Sequence, residues 1–412
     1  MKSFLNTLLM AAALLAAGCA LHTKGAAGTP GKPGGAPASG HLVIIGGSLG
    51  ENEQIYARMI KHAGDAPAVG IVPTASGDPA DSAAYYTEAF DSRIGAPSTR
   101  LIDIPFDKPG NALDPAIAAD IEACSLLFFT GGDQSRILAA FRPEGGTTPA
   151  MEAARAVLAS GGTIAGSSAG AAMMSDPMLR WGTSAEALLV GVTESPDRGV
   201  GIGPGMGFFK HGLAGQHFIR RGRLGRMIAA LEHTGVARGY GIADSRAIDV
   251  DLATGRIEVL GDRGILLVDN SAAEKDGLER RNIRLSLLND GDVVDGNTGA
   301  VTPASTMKPV PDEIMGLTML IEAEDAWSRD VFADLIEKLA YQPATQAVAH
   351  DEHFELRLSR DERTRFLERE GGVVTGIDVR LDIVPKAGAD AARARLLDDI
   401  AQGRPGLAAV TE

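Results

Sequence analysis

Thr163-Ile164-Ala165-Gly166-Ser167-Ser168-Ala169-Gly170-Ala171-Ala172 decides how this chain is read. An apolar, strand-like run ends in Gly-x-Ser-x-Gly, and small helix formers follow at once. That layout predicts a tight strand-to-helix turn lifting the Ser168 hydroxyl above the edge of a sheet. Gly166 and Gly170 leave room for closely packed backbone, and Ala169 and Ala171 add little bulk. The residue after the serine opens a helix, so its N–H can point at a developing oxyanion. The competing reading is a strand–helix packing contact without chemistry. The strand before and the helix after favour a nucleophile.

Outward from this turn, short apolar runs alternate with helical patterns. Leu42–Ile45, Val69–Val72, Leu101–Ile104, Leu126–Phe129 and Thr163–Ala165 read as strands buried on both faces. Between them Ile55 and Met59, then Tyr56 and Ile60, pair at helical spacing, and Met151 to Leu158 is rich in Ala and Leu. Strict alternation predicts an α/β fold, a parallel sheet sandwiched by helices, with ligands beyond the carboxyl ends of the strands. Turn residues gather at those ends: Gly46-Gly47-Ser48, Pro73-Thr74 and Gly131-Gly132-Asp133-Gln134. Gly46-Gly47-Ser48-Leu49-Gly50 lacks the Gly-x-Gly-x-x-Gly spacing of a dinucleotide fold. After Gly239, Arg256–Leu260, Gly264–Val268 and Ile283–Leu288 predict antiparallel hairpins that finish the domain. Beyond Ala304 the pattern becomes a small C-terminal α/β appendage. Ser328 is placed to cap a helix carrying Val331, Leu335, Ile336 and Leu339, two alternating strands follow, and a helix through Leu396 and Leu397 closes the chain.

At 412 residues and 42.7 kDa the chain is long enough for two or three domains. A net charge of −14 argues against sequence-independent nucleic-acid binding. Lys2 precedes a run from Phe4 to Ala17 that is apolar apart from Asn6 and Thr7, and Ala16-Ala17-Gly18-Cys19 follows. That run is shorter than the ~18 residues of a membrane span and resembles a bacterial lipoprotein signal, with Cys19 as the lipidated residue. Simple secretion is the alternative. Residues 20–40, rich in Gly, Pro and Ala, read as a flexible tether. The expected division is therefore signal 1–19, tether 20–40, catalytic domain 41–304 and extension 305–412, in an exported protein held at a membrane or cell surface. Cys124, beside Leu126, Leu127 and Phe128, reads as a buried, inert thiol.

A serine nucleophile needs a base, and the base an orienting acid. Of eight histidines, His22 lies in the tether, His41 at the domain's edge, and His62 and His233 at helix ends. His217 stands apart, in Gly215-Gln216-His217-Phe218 between a glycine-rich loop and a helix. Arg220, Arg221, Arg223 and Arg226 follow, on a helix burying Leu224, Met227, Ile228 and Leu231. This spacing displaces Arg223 and Arg226 from the apolar face. Four arginines beside a candidate base, in an acidic chain, predict anion recognition. Asp244 is the candidate acid, with Asp249 and Asp251 as alternatives. An α/β-hydrolase order, serine then acid then histidine, would instead draw on His350 or His353.

Phe129-Thr130-Gly131-Gly132-Asp133-Gln134, Gly166-Ser167-Ser168-Ala169-Gly170-Ala171, Gln216-His217-Phe218 with Arg221-Gly222-Arg223-Leu224-Gly225-Arg226, and Gly239-Tyr240-Gly241-Ile242 together resemble the cyanophycinases, here of the extracellular type. These belong to the serine peptidase family that also holds the aspartyl dipeptidases. The order and approximate spacing fit from about His41 to Ala304. The resemblance implies a fold like the class I glutamine amidotransferases, often dimeric, with no metal or cofactor. It implies Ser168 as nucleophile, His217 as base and Asp244 as acid, with the amides of Ala169 and Gly132 holding the oxyanion. It implies Gln134, Gln216, Arg221, Arg223 and Arg226 as substrate contacts. The implied substrate is cyanophycin, a poly-aspartate with arginine on each side-chain carboxyl, cleaved to β-aspartyl-arginine. An aspartyl dipeptidase, or a non-catalytic peptide-binding lipoprotein, is the alternative. Two positions depart from the family pattern: Asp244 stands where Glu is typical, and Gly215 where Asp precedes the glutamine.

Overall fold

The computed structural model describes residues 39–404 except 197 and 312–319, so the signal, Cys19 and nearly all of the tether lie outside the described residues. The expected alternation is present. The chain runs β1 (His41–Ile45), α1 (Glu53–Ala63), β2 (Val69–Val72), α2 (Pro79–Ile94), β3 (Thr99–Leu101), α3 (Pro115–Glu122), β4 (Leu126–Phe129), α4 (Gln134–Phe141), α5 (Pro149–Ala159) and β5 (Thr163–Ser167). The helix starts follow from local chemistry. Asn52, Asp78, Asp114, Asp133 and Thr148 each accept a bond from an orphan N–H of the first turn, and Pro79, Pro115 and Pro149 stand where no N–H is needed. β1, β5, β4, β2 and β3 pair in parallel in that order. Leu42 to Ile45 and Leu126 to Phe129 are fully buried, each side chain worth ~1.5–3 kcal/mol. The edge strand lies earlier than its apolar run suggests. Thr99–Leu101 makes the ladder, while Ile102 and Ile104 dip into the core.

Past the serine turn come α6 (Ala169–Ala172), then β6 (Met178–Gly182) and β7 (Val200–Gly203), an antiparallel pair around α7 (Ser184–Val190). β8 (Leu213–Gly215), α8 (Leu224–Thr234) and β9 (Arg238–Ile242) follow. β10 (Ala247–Asp251) and β11 (Arg256–Leu260) return to the first sheet, antiparallel on the free side of β1. β12 (Ile265–Asp269), β13 (Glu274–Asp276) and β14 (Glu279–Leu288) build a second sheet, while β15 (Val293–Asp295) and β16 (Val301–Thr302) complete the first.

The extension is α/β, as its sequence predicts, and it is stitched into what precedes it. It comprises β17 (Lys308–Pro309), β18 (Ile321–Ala323), α9 (Val331–Tyr341), β19 (Gln346–His350), β20 (Phe354–Ser359), β21 (Arg365–Arg369), β22 (Val373–Pro385) and α10 (Ala389–Ala401). β22 pairs with β14, so one sheet runs β18-β19-β20-β22-β14-β12-β9-β8 across residue 304. A buried polar bridge reinforces the join: Asn289 donates to the Val374 carbonyl and Thr375 hydroxyl, and Thr375 donates to Asp292. Ser328 does not cap α9. Its hydroxyl donates to Asp325, and Asp330 occupies the cap position without a side-chain bond.

Cys124 is buried, its thiol against the Asp120 carbonyl at 3.2 Å and pushed up to about 11 by burial. Among the described residues no helix is long and apolar enough to cross a membrane.

Candidate active site

Two sheets bring their strand ends to one place. β5 delivers Ser168 from the first sheet, beside the turn that follows β1. In the second sheet β8 and β9 run parallel with Gly215 level with Gly241, so His217 and Asp244 both emerge just past one edge. Ser168 occupies φ 56°, ψ −106°, a conformation an L-residue adopts at a cost of ~1–3 kcal/mol. The surroundings enforce it: the Ser168 N–H donates to the Ile45 carbonyl, and its own carbonyl accepts from Ala171 and Ala172.

Ser168 Oγ lies 2.8 Å from His217 Nε2, and His217 Nδ1 lies 2.5 Å from Asp244 Oδ1. Burial pushes the Asp244 carboxyl up, but hydrogen bonds from His217 and Ser48 and the nearby Arg220 charge outweigh it and hold it below its ordinary value. An ionised Asp244 fixes hydrogen on Nδ1 and leaves Nε2 to accept the serine proton.

The glycine turn after β1, which fails as a nucleotide motif, holds this arrangement in place. Ser48 Oγ donates to Asp244 Oδ1 at 2.9 Å. The His217 N–H donates to the Gly46 carbonyl and the Ser245 N–H to the Gly47 carbonyl, both at 2.7 Å. Gly47, at φ 125°, lies flat under the imidazole: a Cβ there would come within 2.1 Å of His217 Cε1. The only sequence signal for these residues was their place at a strand's carboxyl end.

Ala169 opens α6, where its N–H has no intrahelical acceptor. Gly131 passes over Ser168, close enough that a Cβ would meet Ser168 Cβ at 3.4 Å. Gly132, at φ 137°, allows this path, since a Cβ would strike the Ala75 carbonyl. Asp133 caps α4, and the Gln134 amide nitrogen donates to the carbonyls of Leu179 and Arg180 at 3.3 and 3.4 Å, tying α4 to β6.

The arginines divide differently from the sequence reading. Arg220 and Arg221 are exposed and precede the helix, Arg223 is half-buried at its cap, and Arg226 is buried within it. Arg226 is not displaced from the buried side, because α8 is enclosed nearly all round and Gly225 packs against Ser184. Arg223 Nη1 donates to the Gln216 carbonyl at 2.8 Å, and Arg226 Nη2 to the Arg180 carbonyl at 3.4 Å. Among the described residues no carboxylate lies within ion-pair distance of either. Burial and the neighbouring cations push the Arg223 guanidinium well down, and burial with Arg221 brings Arg226 down to about 10. Gln216 Oε1 is buried without a hydrogen-bond partner and lines a narrow space with Ala172, Leu179, Phe218, Arg223 and Arg226. The alternative acids and bases lie elsewhere: Asp249 bonds His62, and His350 and His353 face Glu322 and Glu352.

A sequence profile of peptidase family S51 matches residues 42–257. Among curated proteins, the cyanophycinase of Geminocystis herdmanii is 31% identical over 265 residues, which are 61% of this chain and 92% of that protein. The cyanophycinase of Trichormus variabilis is 31% identical over 265 residues, covering 61% of this chain and 84% of that one. That of Synechococcus elongatus is 30% identical over 290 residues, covering 66% and 85%. Among solved structures, the crystal structure of a peptidase from an acI-B1 Actinobacterium aligns with TM-score 0.44 at 16% identity, over 66% of this chain and 97% of that one.

Proposed function

The chain belongs to peptidase family S51, and from that premise we propose that it is a serine exopeptidase hydrolysing cyanophycin to β-aspartyl-arginine outside the cytoplasm. Ser168 Oγ attacks the aspartyl carbonyl as His217 Nε2 takes its proton. The amides of Ala169 and Gly132 hold the oxyanion. His217 then returns the proton to the leaving amine, and water, activated by the same imidazole, releases the acyl group from Ser168. No step needs a metal or cofactor.

One observation carries the choice of substrate: half-buried Arg223 and buried Arg226 lie beside the base with no carboxylate among the described residues at ion-pair distance. An uncompensated guanidinium pair is costly until an anion arrives. The free carboxylates of a β-aspartyl-arginine unit supply that anion, and Gln216 lines the same narrow space as the two arginines. The Cys19 anchor and the tether would hold the enzyme at a surface, where an insoluble polymer from lysed cells can be met.

Purified protein incubated with cyanophycin should release β-aspartyl-arginine, and Ser168→Ala should abolish release while circular dichroism stays unchanged. Cleavage of free aspartyl dipeptides with the polymer left intact would select the dipeptidase instead. Failure of Ser168 to take up a fluorophosphonate would select the non-catalytic alternative.

A further inference from the structure

A second polar cluster sits at the end of the first sheet away from the nucleophile, and the chemistry above does not use it. His41 opens β1, His62 lies in the last turn of α1, and Asp249 is on β10 opposite Val43. His41 is level with Thr163 and Ile45 with Ser167, so about four residues of strand, roughly 13 Å, separate the cluster from the serine turn.

The two imidazoles stack with centroids 3.7 Å apart and planes 12° from parallel. His62 Nε2 lies 2.8 Å from Asp249 Oδ2, an oxygen that Arg58 Nη1 also holds at 2.5 Å. Arg58 is fixed in turn by Glu258, at 3.0 Å from Nη2. These contacts turn the other carboxylate oxygen, Oδ1, toward His41 Nδ1 at 3.6 Å. That is too long for a hydrogen bond. Both atoms are buried without a partner, and Asp249 is only 5% exposed. A buried carboxylate oxygen facing an imidazole nitrogen across a gap is an unsatisfied arrangement.

The gap has the dimensions of shared coordination. Two donors each ~2.0–2.2 Å from one zinc ion in tetrahedral geometry stand roughly 3.4 Å apart. One ligand atom from each of the three residues lies within 4.8 Å of the others, and the His62 ring must turn out of the stack and off Asp249 Oδ2 for its Nε2 lone pair to converge on the ion. Asp249 and Glu258 against Arg58 leave the pocket net negative. Imidazole donors favour zinc and its transition-metal neighbours over magnesium or calcium. His41, 27% exposed at its side chain, gives an entry path and room for a water as fourth ligand.

We propose that His41, His62 and Asp249 form a binding site for one divalent transition-metal ion of the zinc class, clamping the start of β1 and the end of α1 to β10. Arg58 is its positioning residue, keeping Oδ2 occupied and Oδ1 aimed at the ion. The site stands whatever substrate the serine centre takes.

The full chain, stripped with EDTA and dialysed, is titrated with ZnCl₂ by calorimetry and with CoCl₂ by visible absorption. One equivalent should bind, cobalt should show intense tetrahedral ligand-field bands, and zinc should raise the melting temperature. His62→Ala and His41→Ala should each weaken zinc binding by more than ~100-fold, beyond the 10–100-fold typical of supporting contacts. Fluorophosphonate labelling of Ser168 in each variant reports that the fold is intact. Ser168→Ala should bind zinc as the parent does. Absence of a zinc equivalent in the parent, or equal binding in correctly folded His41 and His62 variants, would overturn the site.

Discussion

At the scale of single residues, the hydrogen-bonded Ser168, His217 and Asp244 depend on a glycine that carries no chemistry. Gly47→Ala would drive a methyl into the His217 ring, so kcat/KM for peptide cleavage should fall at least ~100-fold by misplacement alone. A near-wild-type rate would mean that the imidazole sits elsewhere. Asp244 gives a pH test. A carboxyl whose folded value is depressed contributes stability that is fully present above its unfolded value, ~3.9, and lost as pH falls through the folded one. Asp244→Asn should therefore cost stability at pH 7, with the gap to wild type narrowing below about pH 4 in urea melts. That Ser168, His217 and Asp244 would meet was legible because each follows a glycine-punctuated strand end. Gly47 and Ser48 were not, since their meaning comes from Asp244 and His217, some two hundred and one hundred and seventy residues away along the chain.

Helix α8 shows what a periodic pattern leaves out. Spacing of Leu224, Met227, Ile228 and Leu231 located the helix, but it could not say what the remaining face would meet. That face is enclosed too, and Arg226 is buried there, lining a narrow space with Gln216 and Arg223. Replacing a buried guanidinium that has no carboxylate partner among the described residues by an apolar chain of similar length removes its desolvation cost. Arg226→Met should therefore raise the melting temperature while lowering kcat/KM for carboxylate-bearing substrates by ~100-fold. A variant less stable than the parent would show that the guanidinium is satisfied in the free enzyme. Ser328 teaches a similar lesson. Its hydroxyl was available as a cap, but Asp325, three residues back, competes for it.

Over the whole molecule, the strands themselves were readable from alternation, whereas their partners were not. Nothing in Ile377, Val379, Leu381 and Ile383 says that they will lie along β14, because a half-buried strand pattern fits any edge of matching depth. The shared sheet makes the extension part of the enzyme's framework. A chain ending at residue 304 would expose the β14 edge with Ile283, Leu285 and Leu287 uncovered, and should be found in the insoluble fraction on expression. A soluble, active truncation would contradict that dependence. The same join orders events during synthesis. The sheet behind His217 and Asp244 acquires β22, β20, β19 and β18 from the chain made after residue 304. A polypeptide made only as far as residue 304 thus carries Ser168 on one sheet while the sheet that presents His217 and Asp244 still lacks the strand that covers β14.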